Sequence, residues 1–288
     1  MSSPDPQAQP LEFRTEQGPQ RYADVVAAGR RAVICLDFDG VLAPIVEDPD
    51  AAHVHPAAPA LLVRLAAGYR AVAVVTGRPA RQALELGRLE ELGDAVTQAG
   101  GDLLVLGQYG HERWHASDGR LLSPDPPPGL AALTEELPGM LRRARCEDAH
   151  VELKSLAVAV HTRRLADPQA ALDRLRPLLA EAAERHGLVL EPGRAVLEVR
   201  APGIHKGQAV RTLRDELDAA AMLYAGDDLG DVAAFEALAA LRKEGLAALL
   251  VCSGSEEQQA LVDRADLVVP GPDGVMDLLR RLAADAGA

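Results

Sequence analysis

The chain has 288 residues, of which 48% are hydrophobic and only 3% aromatic. This length fits one large domain or two medium ones, with a core filled mainly by Leu, Val and Ala. Acidic residues outnumber basic ones 43 to 30, and the formal net charge of -13 argues against partners such as nucleic acids and anionic membranes. A small anionic substrate remains compatible, because a local cluster of basic residues and metal can outweigh the overall charge.

Residues 1–25 are predicted to form a disordered tail, since the first twenty are polar and lack the basic and apolar segments of a secretion signal. No apolar stretch approaches the roughly 18 residues of a membrane span. Three cysteines without CxxC spacing, Cys35, Cys146 and Cys252, suggest reduced thiols in a cytoplasmic protein.

The run Ala32–Leu36 is continuously apolar and predicts a buried parallel strand, followed at once by Asp37-Phe38-Asp39-Gly40. Such sheets bind their ligands at this end of the strand. Two close carboxylates are unfavourable unless a cation binds them, one holds a proton, or both. A metal-assisted carboxylate nucleophile with a neighbouring acid/base satisfies each condition. The alternative is a pair of loop aspartates that cap the next helix.

Further apolar runs alternate with helical patterns and predict an α/β fold, a Rossmann-like doubly wound parallel sheet with helices on both faces. Because each run ends in a polar loop, these loops are expected to converge at one edge of the sheet. The further predicted strands are 71–75, 103–106, 221–225, 247–252 and 267–269.

The middle of the chain has a different pattern, helix–strand–strand–helix–strand–strand, after the Pro-rich break 123–129. This order is sufficient for a small α+β domain. We therefore predict a cap, 118–202, inserted between the two parts of a core, 26–117 and 203–288.

Two further motifs can bind phosphate. Thr76-Gly77-Arg78 follows the strand 71–75, where a hydroxyl and backbone N–H groups suit phosphate oxygens, although such a sequence is usually only a turn. Lys206 opens a helix, where the macrodipole disfavours a cation, and such an unfavourable local choice is expected where function overrides preference. A surface lysine near a helix terminus is the alternative.

Gly226-Asp227-Asp228-Leu229-Gly230-Asp231 follows the strand 221–225. Three carboxylates within five residues form an oxygen-rich site suited to Mg²⁺. An acidic helix cap could account for Asp231 but not for Asp227 and Asp228 as well.

In this order, Asp-Phe-Asp-Gly-Val, Thr-Gly-Arg, Lys and Gly-Asp-Asp-x-x-Asp resemble the four motifs of the haloacid-dehalogenase superfamily of phosphatases. The resemblance implies that Asp37 is the nucleophile and forms an aspartyl-phosphate, and that Asp39 is the general acid/base. It implies that Thr76 and Lys206 hold the phosphoryl group. Mg²⁺ would be bound by Asp37, the Asp39 backbone carbonyl and Asp227, with Asp228 or Asp231 in support.

Longer stretches, over about residues 30–285, resemble the trehalose-6-phosphate phosphatase family. They include the extension of the first motif to Pro49, Gly107–Glu112, and the cap segments 151–163 and 197–207. The resemblance implies hydrolysis of trehalose 6-phosphate to trehalose and phosphate, the last step of trehalose biosynthesis, and possible coupling to a separate synthase. The implied substrate-binding residues are Gly40, Gly77, Arg78, Gly110, Glu112, Glu152, Lys154, His161, Arg163 and Glu198. Independently of the resemblance, Lys154, His161, Arg163 and Glu198 alternate along strand-like runs and can share one face of the cap sheet. The alternative is a solvent-facing side of the strands that carries ordinary charges.

Four positions depart from the commoner family pattern: Thr162, His205, Gly230 and Val232. None of them removes a nucleophile, an acid/base or a metal carboxylate, so they bear on sugar preference. The alternatives are a phosphatase for a sucrose, glucosylglycerol or mannosylglycerate phosphate, and a non-catalytic sugar-phosphate sensor.

Overall fold

The computed structural model describes residues 11–46, 48–193, 195–254 and 259–287. The chain divides into two compact units, one built from the segments up to Ser123 and from His205 onward, the other from Pro124–Ile204. These divisions fall within six residues of the predicted domain limits. Within the described ranges, no helix combines the length and hydropathy that a bilayer span requires.

The strands and helices are numbered here in chain order. The strands are β1 (Ala32–Leu36), β2 (Ala71–Val75), β3 (Leu103–Gly107), β4 (Glu112–His115), β5 (Leu121–Leu122), β6 (His150–Leu153), β7 (Ala157–His161), β8 (Val189–Gly193), β9 (Val196–Arg200), β10 (Ala221–Gly226), β11 (Ala247–Gly254) and β12 (Leu267–Pro270). The α-helices are α1 (Gly18–Ala28), α2 (Ala58–Gly68), α3 (Ala80–Gly87), α4 (Gly93–Gln98), α5 (Pro128–Ala144), α6 (Pro168–Arg185), α7 (Lys206–Glu216), α8 (Val232–Lys243), α9 (Gln259–Val262) and α10 (Gly271–Asp285).

The larger unit contains a sheet of order β12-β11-β10-β1-β2-β3-β4-β5. Its first six strands are parallel, whereas β4 and β5 join antiparallel at one edge and were not predicted. Successive residues of β1 enter opposite apolar layers, with Ile34 in the layer of α2 and α10 and Cys35 in the layer of α7 and α8. Helices therefore cover both faces, and the prediction of an α/β fold with a parallel sheet is confirmed.

The smaller unit contains an antiparallel sheet of order β6-β7-β9-β8. Val158, Val160, Leu197 and Val199 point to one face, where α5 and α6 supply the other half of an apolar core. Alternate residues of the same strands lie on the opposite face. Strands β8 and β9 pair antiparallel, and residue 194 lies outside the described residues.

The prediction of a disordered tail over residues 1–25 is wrong for its second half, and residues 1–10 lie outside the described residues. Phe13 forms an antiparallel bridge with Leu267, and α1 begins at Gly18. Val25 is buried in the core, and Arg21 forms an ion pair with the buried Asp266. Leu267 and Asp266 lie about 250 residues further along the chain, so a polar local composition could not indicate them.

Candidate active site

The site is assembled at the carboxyl ends of β1 and β10. These strands are neighbours in the sheet, with Leu36 paired to Ala225, so the residues that follow them are brought together. Carboxylate oxygens of four aspartates lie within 4.8 Å of one another: Asp37, Asp227, Asp228 and Asp231. Of these, only Asp228 is exposed.

Lys206 joins two members of this cluster. Its Nζ lies 2.7 Å from Asp37 Oδ2 and 2.7 Å from Asp231 Oδ1, and its side chain is buried. His205 caps α7 by accepting the Gln208 N–H on its ring Nδ1 at 3.3 Å, so a ring nitrogen does here what the more common Asp or Asn would do. The helix start thus holds the ammonium group against the first aspartate.

Asp231 has both of its oxygens occupied. Oδ1 accepts hydrogen bonds from Lys206 and from the Tyr224 hydroxyl, each at 2.7 Å. Oδ2 accepts the N–H groups of Asp227 at 2.9 Å and Asp228 at 3.1 Å. With two hydrogen bonds on each oxygen, Asp231 is suited to fixing the loop and Lys206. More acceptor capacity for a cation is left on Asp37, Asp227 and Asp228.

The pKa values in the cluster differ in direction. Burial and the surrounding carboxylates raise the pKa of Asp37 well above its usual range, against the influence of Lys206. Burial, Asp231 and Asp228 raise the pKa of Asp227 to about 8. The pKa of Asp231 is lowered, because Lys206 and the hydrogen bonds outweigh the effect of its burial. In the absence of a cation, burial and the neighbouring carboxylates therefore favour the protonated forms of Asp37 and Asp227.

Gly40 allows the first and fourth motifs to approach. Its φ is +67°, and a Cβ added there would lie 2.2 Å from the carboxyl group of Asp227. Its carbonyl oxygen accepts a hydrogen bond from the Ser253 hydroxyl at 2.5 Å. Any side chain at this position would displace Asp227, so the glycine is required for packing as well as for the turn.

Asp39 is outside the group of four aspartates whose oxygens lie within 4.8 Å of one another, and it pairs with Arg78. Arg78 Nε and Nη2 each donate to one oxygen of Asp39 at 2.7 Å, and the guanidinium carbon lies 5.4 Å from the centre of the Phe38 ring. This bidentate pair fixes the direction of the Asp39 carboxylate. The two aspartates of the first motif thus have different partners.

The remaining predicted core residues lie around the loop after β2. The buried Thr76 hydroxyl accepts the Arg78 N–H at 3.1 Å and keeps its own proton for another acceptor. Gly77 packs against the ring of Tyr109, and Gly110 packs against Ala209 of α7. Glu112 is buried and accepts the Ala80 N–H at 2.6 Å.

The smaller unit gathers most of the predicted cap residues on the sheet face opposite α5 and α6. Lys154 Nζ lies 2.6 Å from Glu198 Oε2 and 4.0 Å from Glu152 Oε2, which in turn lies 2.9 Å from His161 Nε2. Of the four residues predicted to share one face, Lys154, His161 and Glu198 do so, and Glu152 joins them. Arg163 is exposed beyond the end of β7.

Two of these arrangements depend on residues that the sequence analysis did not select. Tyr224 lies in the buried strand β10 and holds Asp231. Arg200 is two residues beyond Glu198 in β9, and its Nη1 donates to Glu198 Oε1 at 3.1 Å. In the sequence, Tyr224 and Arg200 are visible only as polar groups within mostly apolar strands. Periodicity gives the face of the sheet on which such a residue lies, but it does not give the residue's partner.

Three other positions that depart from the family pattern have local roles. Thr162 is buried and donates to the Ala195 carbonyl at 3.3 Å. The Gly230 N–H donates to Asp228 Oδ1 at 2.8 Å, and Val232 begins α8. None of these contacts removes a carboxylate from the acidic cluster.

The four clustered aspartates have the chemistry of a divalent-cation site. Hard cations prefer carboxylate oxygens, and several anions crowded in a buried space require a compensating charge. Lys206 supplies one positive charge beside the four carboxylates of the cluster. The residues present therefore fit a divalent metal.

Comparison with known proteins gives a consistent result. The family model described as trehalose-phosphatase matches residues 35–96 and 141–267. "Probable trehalose-phosphate phosphatase 9" of Oryza sativa subsp. japonica is 33% identical over 91% of this chain and 72% of its own length. The trehalose-phosphate phosphatase of Mycolicibacterium paratuberculosis is 34% identical over 73% of this chain, which spans about half, 52%, of that protein.

Solved structures agree at the level of the fold. The C-terminal domain of the trehalose-6-phosphate phosphatase from C. albicans superposes with a TM-score of 0.72 at 20% identity, covering 96% of this chain and 99% of that one. A haloacid dehalogenase-like hydrolase from Bacteroides thetaiotaomicron superposes with a TM-score of 0.60 at 15% identity, over 87% and 99%. Because the family model and the rice relative both cover most of the sequence, the chain belongs to the trehalose-phosphatase family.

Proposed function

We propose that this protein hydrolyses trehalose 6-phosphate to trehalose and phosphate through an aspartyl-phosphate on Asp37. The observation that carries the proposal is the buried Asp37 carboxylate, paired with Lys206 at 2.7 Å beside the Asp227–Asp231 cluster. Membership of the family supports the substrate. A binding protein that only senses a sugar phosphate has no need of this nucleophile.

Magnesium is the proposed metal, held by Asp37, Asp227 and Asp228 together with the Asp39 backbone carbonyl. When bound, it neutralises the charge of the cluster and of the incoming phosphoryl group. Asp231 takes a supporting part, since its oxygens already hold Lys206, Tyr224 and two backbone N–H groups.

The protein's own residues perform the two halves of the reaction. An Asp37 oxygen attacks phosphorus as the bond from phosphorus to the ester oxygen breaks, and Asp39, which enters this step protonated, gives its proton to that oxygen. Asp39 then takes a proton from water, which attacks the aspartyl-phosphate and regenerates Asp37. Thr76 and Lys206 bind the phosphoryl oxygens, and Arg78 directs the Asp39 carboxylate.

The charged face of the smaller unit is proposed to recognise the sugar. Glu152, Lys154, His161 and Glu198 offer donors and acceptors on one surface, and Arg163 lies just beyond the strand. Polar groups of this kind discriminate well against analogues that lack a hydroxyl. A separate trehalose-6-phosphate synthase would supply the substrate, and the two proteins would then be functionally coupled.

The test is a phosphate-release assay over sugar phosphates with Mg²⁺ or with EDTA. Trehalose 6-phosphate should exceed glucose 6-phosphate and sucrose 6-phosphate in kcat/KM, and EDTA should abolish release. Asp37→Asn should still bind the sugar phosphate but release no phosphate. Equal rates for all esters would contradict the substrate, and unchanged release by Asp37→Asn would contradict the mechanism.

A further inference from the structure

The loop after β3 has an unusual backbone. Gln108 and Tyr109 have φ values of 44° and 62°, in the left-handed region that residues other than glycine seldom adopt. Two consecutive residues of this kind persist only where surrounding contacts hold them, and they concentrate at functional sites. The partners of this loop therefore indicate what it supports.

Its partners belong to the phosphate-binding loop Thr76–Arg78. The Gln108 N–H donates to the Arg78 carbonyl at 2.8 Å, and the Tyr109 N–H donates to the Thr76 carbonyl at 2.8 Å. The Tyr109 ring lies against Gly77, where an added Cβ would be 3.0 Å from its atoms. The strained pair thus holds the backbone of the phosphate-binding loop at both of its ends.

Glu112 completes this arrangement with one buried carboxylate. Its Oε2 accepts the Ala80 N–H at 2.6 Å, and its Oε1 accepts Gln108 Nε2 at 2.7 Å and the Ser123 hydroxyl at 3.3 Å. Ala80 is the first residue of α3, where backbone N–H groups lack helical partners and favour an anion. Glu112 therefore links the helix after the phosphate-binding loop to the strained residues that hold it.

We propose that Glu112 is a positioning residue for the phosphate-binding loop, in place of the sugar-binding role that the family resemblance implies. It acts through Ala80 and Gln108 on the placement of Thr76 and Arg78. The inference rests on the proposed phosphatase function. A residue that contacts the sugar would affect only sugar esters, whereas this one affects every phosphate ester equally.

The experiment compares Glu112→Ala and Glu112→Gln on two substrates, trehalose 6-phosphate and p-nitrophenyl phosphate, which has no sugar. For Glu112→Ala we expect kcat/KM to fall about 10- to 100-fold on both, as for loss of a hydrogen bond to a charged group. The affinity for inorganic phosphate, measured by calorimetry with MgCl₂, should fall by a similar factor. Glu112→Gln keeps one acceptor and should recover much of the loss. Glu85→Gln, an exposed position on α3, is the matched control and should behave as wild type.

The outcomes separate the competing roles. A rise of KM for trehalose 6-phosphate alone would overturn the proposal and restore Glu112 to the sugar site. A lower melting temperature with unchanged phosphate affinity would overturn it in favour of a structural role. If Glu112→Ala does not fold, the comparison uses Glu112→Gln, whose smaller loss of kcat/KM should still be equal on the two substrates. If wild type hydrolyses p-nitrophenyl phosphate but not trehalose 6-phosphate, the substrate assignment fails while this test stands, and if it hydrolyses neither, the phosphate titration still decides.

Discussion

Lys206 is placed where helix electrostatics would not put a lysine. It begins α7, and the helix macrodipole disfavours a cation there by about 1 kcal/mol or less. Its ammonium group is buried with Asp37 and Asp231 on either side, each at 2.7 Å. Without the lysine, the two buried carboxylates would lack a compensating charge, and that effect is larger than the macrodipole effect. The ion pairs therefore outweigh the helix preference at this position.

Lys206→Met should therefore damage both stability and activity. At pH 8 the two carboxylates lose their cation, and we expect a loss of about 3–5 kcal/mol in the free energy of unfolding. Phosphate release should fall by a factor of about 10³ or more, since the phosphoryl group loses a positive partner. Urea unfolding and kcat/KM measure the two effects. Lys243→Met, at an exposed position of α8, should change neither, and a fully active Lys206→Met protein would contradict the assigned role.

Gly40→Ala tests the close approach of the first and fourth motifs. Alanine at φ +67° is strained by about 1–2 kcal/mol, and its Cβ would also displace the Asp227 carboxylate. Gly119→Ala is a matched control, because Gly119 has φ +65° and no atom of the described residues lies within 4 Å of the added Cβ. Both variants should lose stability in thermal melts, but only Gly40→Ala should lose Mg²⁺ binding by calorimetry. Equal Mg²⁺ affinity in the two variants would rule out the packing argument.

At the scale of elements, the sheet of the smaller unit arranges its charges in rows. Strand pairing aligns Glu152, Ala159, Glu198 and Glu191 across the four strands, and Ala157 with Arg200 in a neighbouring row. The small alanines of the central strand β7 leave space over which the longer side chains extend. Glu198 accepts from Lys154 on one oxygen and Arg200 on the other, so it is fixed from both sides.

Arg200→Gln should loosen Glu198 and weaken sugar recognition. We expect KM for trehalose 6-phosphate to rise about 10-fold, as for a hydrogen bond to a charged group, while p-nitrophenyl phosphate is hydrolysed as before. Arg185→Gln is the control, because Arg185 pairs with Glu136 on the exposed surface of α6, where such pairs contribute little. An equal loss on both substrates would show that Arg200 acts on the fold and not on specificity.

At the scale of the whole molecule, folding collects carboxylates that repel one another. Asp37 and the Asp227–Asp231 loop are separated by about 190 residues in the chain, and they meet because β1 and β10 pair. Without a metal, the pKa of Asp227 is raised to about 8 from an ordinary value of 3.8. The folded protein therefore binds more protons than the unfolded chain between about pH 4 and pH 8.

This difference predicts how stability depends on pH and metal. A carboxyl group whose pKa is higher in the folded protein contributes stability at a pH below its unfolded-state pKa. That contribution is lost as the pH rises through its folded-state pKa, so the free energy of unfolding in EDTA should fall from about pH 5 to pH 8. Mg²⁺ binds the deprotonated carboxylates, so its stabilising effect should be larger at pH 8 than at pH 5. Thermal melts in EDTA and in MgCl₂ across this range provide the measurement. Asp227→Asn should flatten both trends, and a melting temperature in EDTA that rises towards pH 8 would contradict the argument.

The sequence by itself determined the parallel sheet, its six parallel strands and the acidic, hydroxyl and basic groups at their ends. Continuous apolar runs such as Ala32–Leu36 encode a buried strand locally, and ligand groups of such sheets lie at one known edge. The order of the motifs then indicated the family, and the α+β pattern of the smaller unit was equally local.

Only the tertiary structure decided which partner each of these groups has. It pairs Asp39 with Arg78, gives both oxygens of Asp231 hydrogen-bond donors, and brings Tyr224, Arg200 and Glu112 into supporting contacts. It also orders the chain around Phe13 and α1 through residues near position 266. Some of these contacts join residues far apart in sequence, such as Arg21 with Asp266, and others join near neighbours, such as Arg200 with Glu198. In both cases strand register and helix packing set the distances, which no local pattern specifies.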